Sequence, residues 1–132
     1  MITLVSFGTY LAWVGAALAC FLVGMALYMR ITPYDEIRLI RAGNRAAAVA
    51  LGGTMIGLAL PIASVLMHAT SLLDLVIWSA TGVLVQVIGW WMAARFLSDL
   101  RIAINEDRLS HGITLAALSF AIGLLNAGAM ST

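Results

Sequence analysis

At 132 residues, 63% hydrophobic and only 10% charged, the chain carries more apolar surface than a water-soluble domain of this length buries, so a soluble globular domain is excluded and the excess is assigned to lipid. A net charge of +1 provides no polyanion-binding surface and excludes a nucleic-acid partner, and a single cysteine excludes an internal disulfide.

The first uncharged run, Met1 to Met29, has no basic lead-in and is longer than a signal-peptide core. It reads as a retained membrane span, since about 20 apolar residues suffice to cross the hydrocarbon. Leu18, Ala19 and Cys20 faintly resemble a lipoprotein cleavage site, but they lie deep in the run, and Cys20 reads as a small packing residue. The loop from Arg30 to Arg45 opens on Thr32-Pro33-Tyr34-Asp35, a T-x-x-D capping pattern with proline at the first helical position. It predicts a short helix ended by Gly43, with Tyr34, Ile37 and Ile40 on one side, lying at the headgroup level. Asn44 then stands where the N-cap of the next span belongs.

The second run, Ala46 to Leu73, carries Gly53, Gly57 and Pro61 at intervals of four, an extended GxxxG packing face. Pro61 frees the Gly57 carbonyl, which Ser64 or water is expected to satisfy. A tight turn near His68 to Asp74 leads into the third run, Leu75 to Ala94. There Gln86 shares a face with Gly82, Gly89 and Ala93. The second loop, Arg95 to Arg108, ends with Asp107 at the expected N-cap of the fourth run, Leu109 to Thr132. On that run Asn126 lies along a small-residue stripe of Gly112, Ala116, Ser119 and Gly123.

All seven basic residues are arginines in or beside the two longer loops, and the positive-inside rule makes those loops cytoplasmic and both termini periplasmic. Tyr10, Trp13 and Trp78 then mark the outer interface, and Tyr28, Tyr34, Trp90 and Trp91 the inner one. The predicted fold class is an all-α membrane protein of four transmembrane helices forming one domain over residues 1–132, with short interfacial helices in the loops. Gly24 aligns with Gly89 and Arg30 with Arg95, then Glu36 with Asp99, Arg38 with Arg101 and Asn44 with Asp107. This predicts two parallel two-helix repeats, 1–67 and 74–130, about a pseudo-twofold axis along the membrane normal.

No nucleophile elbow, paired intramembrane carboxylates, phosphate-cradling loop or zinc motif is present, so no enzyme, cofactor or metal is expected. Neither His68 nor His111 has a metal partner at motif spacing, although His111 lies four residues after Asp107 on one helical face. The loop acids, Asp35, Glu36, Asp99, Glu106 and Asp107, read as solvated partners of the arginines. Pro61, Ser64, Gln86, Ser119 and Asn126 form the candidate intramembrane polar site, Gly53, Gly57, Gly82, Gly89 and Gly123 the packing positions, and Arg38, Arg41 and Arg101 a cytoplasmic docking surface.

Thr32-Pro33, Gly43-Asn44-Arg45-Ala46-Ala47, Pro61 to Ser64, Gln86 and Asn126-Ala127 resemble the YjfL-like bacterial inner-membrane proteins, a family without an established activity. The likeness spans nearly the whole chain and implies a four-helix protein of the plasma membrane. Through the genes that accompany the family, it also implies an envelope-maintenance role alongside membrane-stress proteins or ATP-grasp ligases. Two readings follow. The first is a non-catalytic subunit that forms homo-oligomers through its glycine-rich faces and presents its loops to cytoplasmic partners. The alternative is a small ion channel or solute facilitator with a pore between subunits.

Overall fold

The computed structural model describes residues 4–97 and 99–131, all helix and connecting turn. Four long helices, α1 (Leu4–Ile31), α3 (Arg45–His68), α4 (Leu72–Phe96) and α6 (Leu109–Met130), alternate with two short ones, α2 (Glu36–Arg41) and α5 (Leu100–Asn105). The long helices contain 28, 24, 25 and 22 residues. At about 1.5 Å rise per residue each exceeds the ~30 Å hydrocarbon layer. All four are long and apolar enough to cross a membrane.

The centre of the bundle is the pair α3 and α6, packed backbone to backbone. A Cβ added at Gly112 would meet the Ala46 carbonyl oxygen at 2.5 Å, and one at Gly53 would strike the Ala116 backbone. Gly57 in the same way abuts the Ser119 carbonyl and Gly123 the Gly57 carbonyl. The contacts climb together through both sequences, so the two helices run parallel. Small residues at intervals of three or four allow this approach because nothing stands between the main chains. Helix α4 lies against both members of the pair, while α1 packs on α3 and α4. A strict twofold would set α1 against α6 as α4 is set against α3. The arrangement departs from it, since α4 lies on both members of the central pair while α1 packs on α3 and α4.

The turns follow local chemistry with two departures. At the α3–α4 turn, Ser71 Oγ accepts from the Asp74 N–H at 3.1 Å and the Asp74 carboxylate accepts from the Thr70 N–H at 3.3 Å, a reciprocal cap. Gly43 takes φ +90° and ends α2 as expected, because only glycine adopts this conformation without Cβ strain. The start of α2 differs from expectation. Asp35 is its N-cap, accepting from the Arg38 N–H at 3.2 Å, so Pro33 precedes the helix and Thr32 is free for another partner. The second departure is at Asp107, described below.

Candidate functional site

Polar side chains are stacked along the inside of the bundle in layers, beginning at the loop end. Asn44 Oδ1 accepts from the Ala47 N–H at 2.8 Å, capping α3, while its Nδ2 donates to the Ile104 carbonyl of α5 at 2.7 Å. The neighbouring Ala46 N–H donates to Asp107 Oδ1 at 2.8 Å. Asp107 therefore does not cap its own helix, the expected role. Its left-handed backbone, φ 56°, turns the carboxylate to the start of α3, and α6 has Arg108 at its N-cap with no side-chain cap bond. Both loop residues thus serve one helix end, where unpaired N–H groups and the helix dipole favour an anionic acceptor. His111 has Ser110 Oγ beside its Nδ1 at 3.4 Å, and Asp107 is paired with Arg45 at 3.9 Å.

The next layer inward is the least expected. Glu36 is 2% exposed, and the arginines around it do not reach it. Among the described residues the ion pairs are Arg45–Asp107 and Arg108–Glu106. Thr32 Oγ1 donates to Glu36 Oε1 at 2.8 Å, whereas Oε2 is buried without a partner. Burial pushes the Glu36 carboxyl above the usual carboxylate range; the Thr32 hydrogen bond opposes the shift and neighbouring Asp35 adds to it. Glu36 is accordingly not a solvated loop charge. Tyr34, also buried, has its phenol pushed upward by desolvation and by Tyr28 beside it.

Tyr28 and Trp90 meet edge to face with centroids 5.8 Å apart, both buried. They point into the bundle and do not belong to the lipid-facing aromatic belt in which they were expected, and Tyr34 is turned inward as well. Trp91, under the Arg95 guanidinium at 4.4 Å, and Trp78 are exposed. Thr54, Tyr34 and Trp90 all approach the Tyr28 hydroxyl, yet that hydroxyl, the Tyr34 hydroxyl and the Trp90 indole N–H make no hydrogen bond.

In the middle layer Gln86 Nε2 donates to the Ser119 carbonyl at 2.8 Å, and Thr54 Oγ1 lies 3.4 Å from Ser119 Oγ. Gln86 Oε1 has no partner. Tyr28, Thr54, Gln86, Trp90 and Ser119 border a narrow pocket of about 10 Å³, the space of one water.

Toward the other end, Asn126 Nδ2 donates to the Gly82 carbonyl at 3.3 Å, and Pro61 packs against Gly82. Ser64, expected to cover the carbonyl freed by Pro61, donates instead to the Ala127 carbonyl at 2.8 Å. Beyond them a 390 Å³ cup opens between the helix ends, lined by His68, Asp74, Trp78, Thr81 and Asn126 among others. The His68 Nδ1–H donates to the Ser64 carbonyl at 2.8 Å.

The five candidate intramembrane residues thus fall into two layers, Gln86 with Ser119 and Pro61 with Ser64 and Asn126. Each of the four polar ones is tied to a backbone carbonyl, offers one, or does both. Gly53, Gly57 and Gly123 are spent on the α3–α6 contact, Gly82 beneath Pro61, and Gly89 against Ile122. Arg38, Arg41 and Arg101 are exposed. Sequence reasoning missed Thr32, Glu36, Tyr28, Thr54 and Trp90. A signal existed for Thr54, which lies at helical spacing on the face of α3 that carries Ala47, Ala50, Leu58 and Pro61, all buried.

The family described as Domain of Unknown Function (DUF350) matches residues 1–130. The chain is similar to UPF0719 inner membrane protein YjfL of Escherichia coli strain K12, 26% identical over 129 residues that cover 98% of this chain and 96% of that protein. It is also similar to UPF0719 transmembrane protein YshE of Bacillus subtilis strain 168, 25% identical over 113 residues, 86% of this chain and 83% of that protein. No solved structure matches.

Proposed function

This chain belongs to the DUF350 family, and on that premise we propose that it is a non-catalytic, oligomeric subunit of the bacterial inner membrane that presents its two arginine-bearing loops to cytoplasmic partners in envelope maintenance. The observation that carries this reading is the use made of the intramembrane polar groups. Gln86, Ser64 and Asn126 donate to backbone carbonyls of α6 or α4 at 2.8, 2.8 and 3.3 Å, joining helices where a pore would need them to face a lumen.

Four membrane spans and the arginine distribution support cytoplasmic loops and periplasmic termini. Arg38, Arg41 and Arg101 are exposed and outside the ion pairs of the described residues, which suits an acidic partner surface such as that of a membrane-stress protein or ligase. Two parallel repeats, 1–67 and 74–130, account for the parallel course of α3 and α6, with the second unit shifted after duplication. The glycine faces of α3 and α6 are consumed within the monomer, so self-association falls to α1. There Gly8, Ala12, Gly15 and Ala19 form an exposed small-residue stripe, with open space at both glycines.

Ion flux tests the reading. Proteoliposomes carrying folded, oriented protein under potassium, sodium and proton gradients are expected to remain tight. Selective flux that disappears in Gln86→Leu or Asn126→Leu would replace this reading with a channel.

A further inference from the structure

Among the described residues, six buried side-chain polar atoms lack a hydrogen-bond partner, and five of them lie together: Glu36 Oε2, Tyr34 OH, Tyr28 OH, Trp90 Nε1 and Gln86 Oε1. The sixth, Ser79 Oγ, sits apart in the apolar groove between α1 and α4. Each such group, if left dry, bears its full desolvation penalty, so chance is a poor account of five in one place. Their chemistry is complementary, since the two phenols and the indole donate while the carboxyl and the amide oxygen accept. None of the five makes a hydrogen bond to another, although Tyr34 and Trp90 approach the Tyr28 hydroxyl, and the narrow pocket bordered by Tyr28, Trp90, Gln86, Thr54 and Ser119 has room for about one water.

We propose that Glu36 is a proton-binding site at the loop end of the bundle, keeping its proton to higher pH than a solvated carboxyl does, and that bound water joins the neighbouring Tyr28, Trp90 and Gln86 groups. The inference goes beyond the proposed function, which assigns no ligand to the bundle interior. The groups facing Glu36 are Tyr28 from α1, Tyr34 from the loop and Asp35 from its own helix start. None is a cation. Arg45 is engaged with Asp107, Arg95 lies over Trp91, and Arg30, Arg38 and Arg41 are exposed. A buried carboxylate with no cation, helped only by the Thr32 hydroxyl and its own backbone N–H, is stabilised by taking up a proton, and the resulting O–H gives the Tyr34 hydroxyl or a water something to accept. The upward shift of the Glu36 carboxyl agrees with that geometry. The cluster stops at Gln86, where the amide N–H is held by Ser119 and the α3–α6 backbones close, so it is a dead-ended site and not a path across the membrane.

Infrared titration of the protein in bilayers tests the acid. A protonated-carboxyl stretch is expected to persist above the ordinary carboxylate range, to shift in D₂O and to vanish in Glu36→Gln, while Glu106→Gln leaves it in place. Thr32→Val, which removes the side-chain donor to the carboxylate, is expected to move the titration to higher pH. A Glu36 that titrates in the ordinary carboxylate range in folded wild type overturns the proposal, whatever the variants do. For the water, the Trp90 indole N–H of ¹⁵N-labelled wild-type protein is expected to receive magnetisation from water in solid-state NMR. A Trp90 N–H with no water transfer, beside the normally transferring exposed Trp91, overturns the water-joined cluster.

Discussion

Gly57→Ala is the sharpest probe of the central helix pair. A Cβ at Gly57 would strike the Ser119 carbonyl oxygen and stand 2.6 Å from Gln86 Nε2 and 2.8 Å from the Ser119 carbonyl carbon. Ordinary contact begins near ~3.5 Å, so α3 must part from α6 and the Gln86 amide by roughly 1 Å. The Ser119 backbone cannot turn aside. The Gln86 amide can, but only by giving up its 2.8 Å bond to Ser119; a displacement of that size carries it past the limit of a hydrogen bond. Overpacking costs about 1–3 kcal/mol and an interhelical bond in a membrane about 0.6 kcal/mol. Alanine's better helix propensity returns up to about 1 kcal/mol. The net loss is roughly 1–3 kcal/mol. Reversible unfolding in mixed micelles, followed by circular dichroism, measures it against Gly52→Ala, a change on the same helix with nothing within 4 Å of the new Cβ. That control is expected to be neutral or stabilising. Equal stability of the two variants would refute the backbone-to-backbone packing.

The remaining predictions concern the loop end. Asn44→Ala removes the α3 cap and the link to Ile104 together and is expected to cost about 1–2 kcal/mol in the same unfolding assay, with Asn44→Asp losing only the donor half and falling between. Because the folded-state pKa of Glu36 lies above its unfolded value, its contribution to stability is fully present below the ordinary carboxylate range. That contribution declines as pH rises from there through the raised value. Unfolding curves across this window should converge for wild type and Glu36→Gln at low pH and separate above it, with the variant the more stable; curves that stay parallel would contradict the assignment. Reversing Arg38, Arg41 and Arg101 to glutamate should leave stability within about 0.5 kcal/mol, since all three are exposed, while abolishing capture of any acidic cytoplasmic partner in a bilayer pull-down.

The four spans were legible because hydrocarbon thickness demands an uncharged run of fixed length, and such runs can be read directly between Arg30, Arg45, Arg95 and Arg108. The small-residue faces of α3 and α6 were legible for a similar reason, since helical period groups Gly53 with Gly57 and Ser119 with Gly123. A period names a face but not its neighbour, and so it could not distinguish packing within the monomer from packing between subunits. Glu36 was misread because an acid among arginines in a short loop resembles a solvated ion pair. Its burial beside Tyr28 and Tyr34 is a tertiary arrangement with no local signature. Asp107 occupies the sequence position of a cap, yet one left-handed residue redirects it to a helix 61 positions earlier in contact with Ala46. The aromatic residues near span ends carried the same ambiguity, as Trp90 and Trp91 show by facing opposite ways from adjacent positions.

Cysteine accessibility tests most directly whether the polar interior is sealed packing and the arginine loops are the working surface. In a Cys20→Ala background, single cysteines at Ser64, Ser119, Arg38 and Arg101 would be exposed in oriented membranes to a membrane-impermeant thiol reagent from each side. The account predicts labelling of 38 and 101 from the cytoplasmic side alone, and none of 64 or 119 from either side. Labelling of 119 would contradict it, because the reagent enters only where an aqueous path wider than one water runs between the helices.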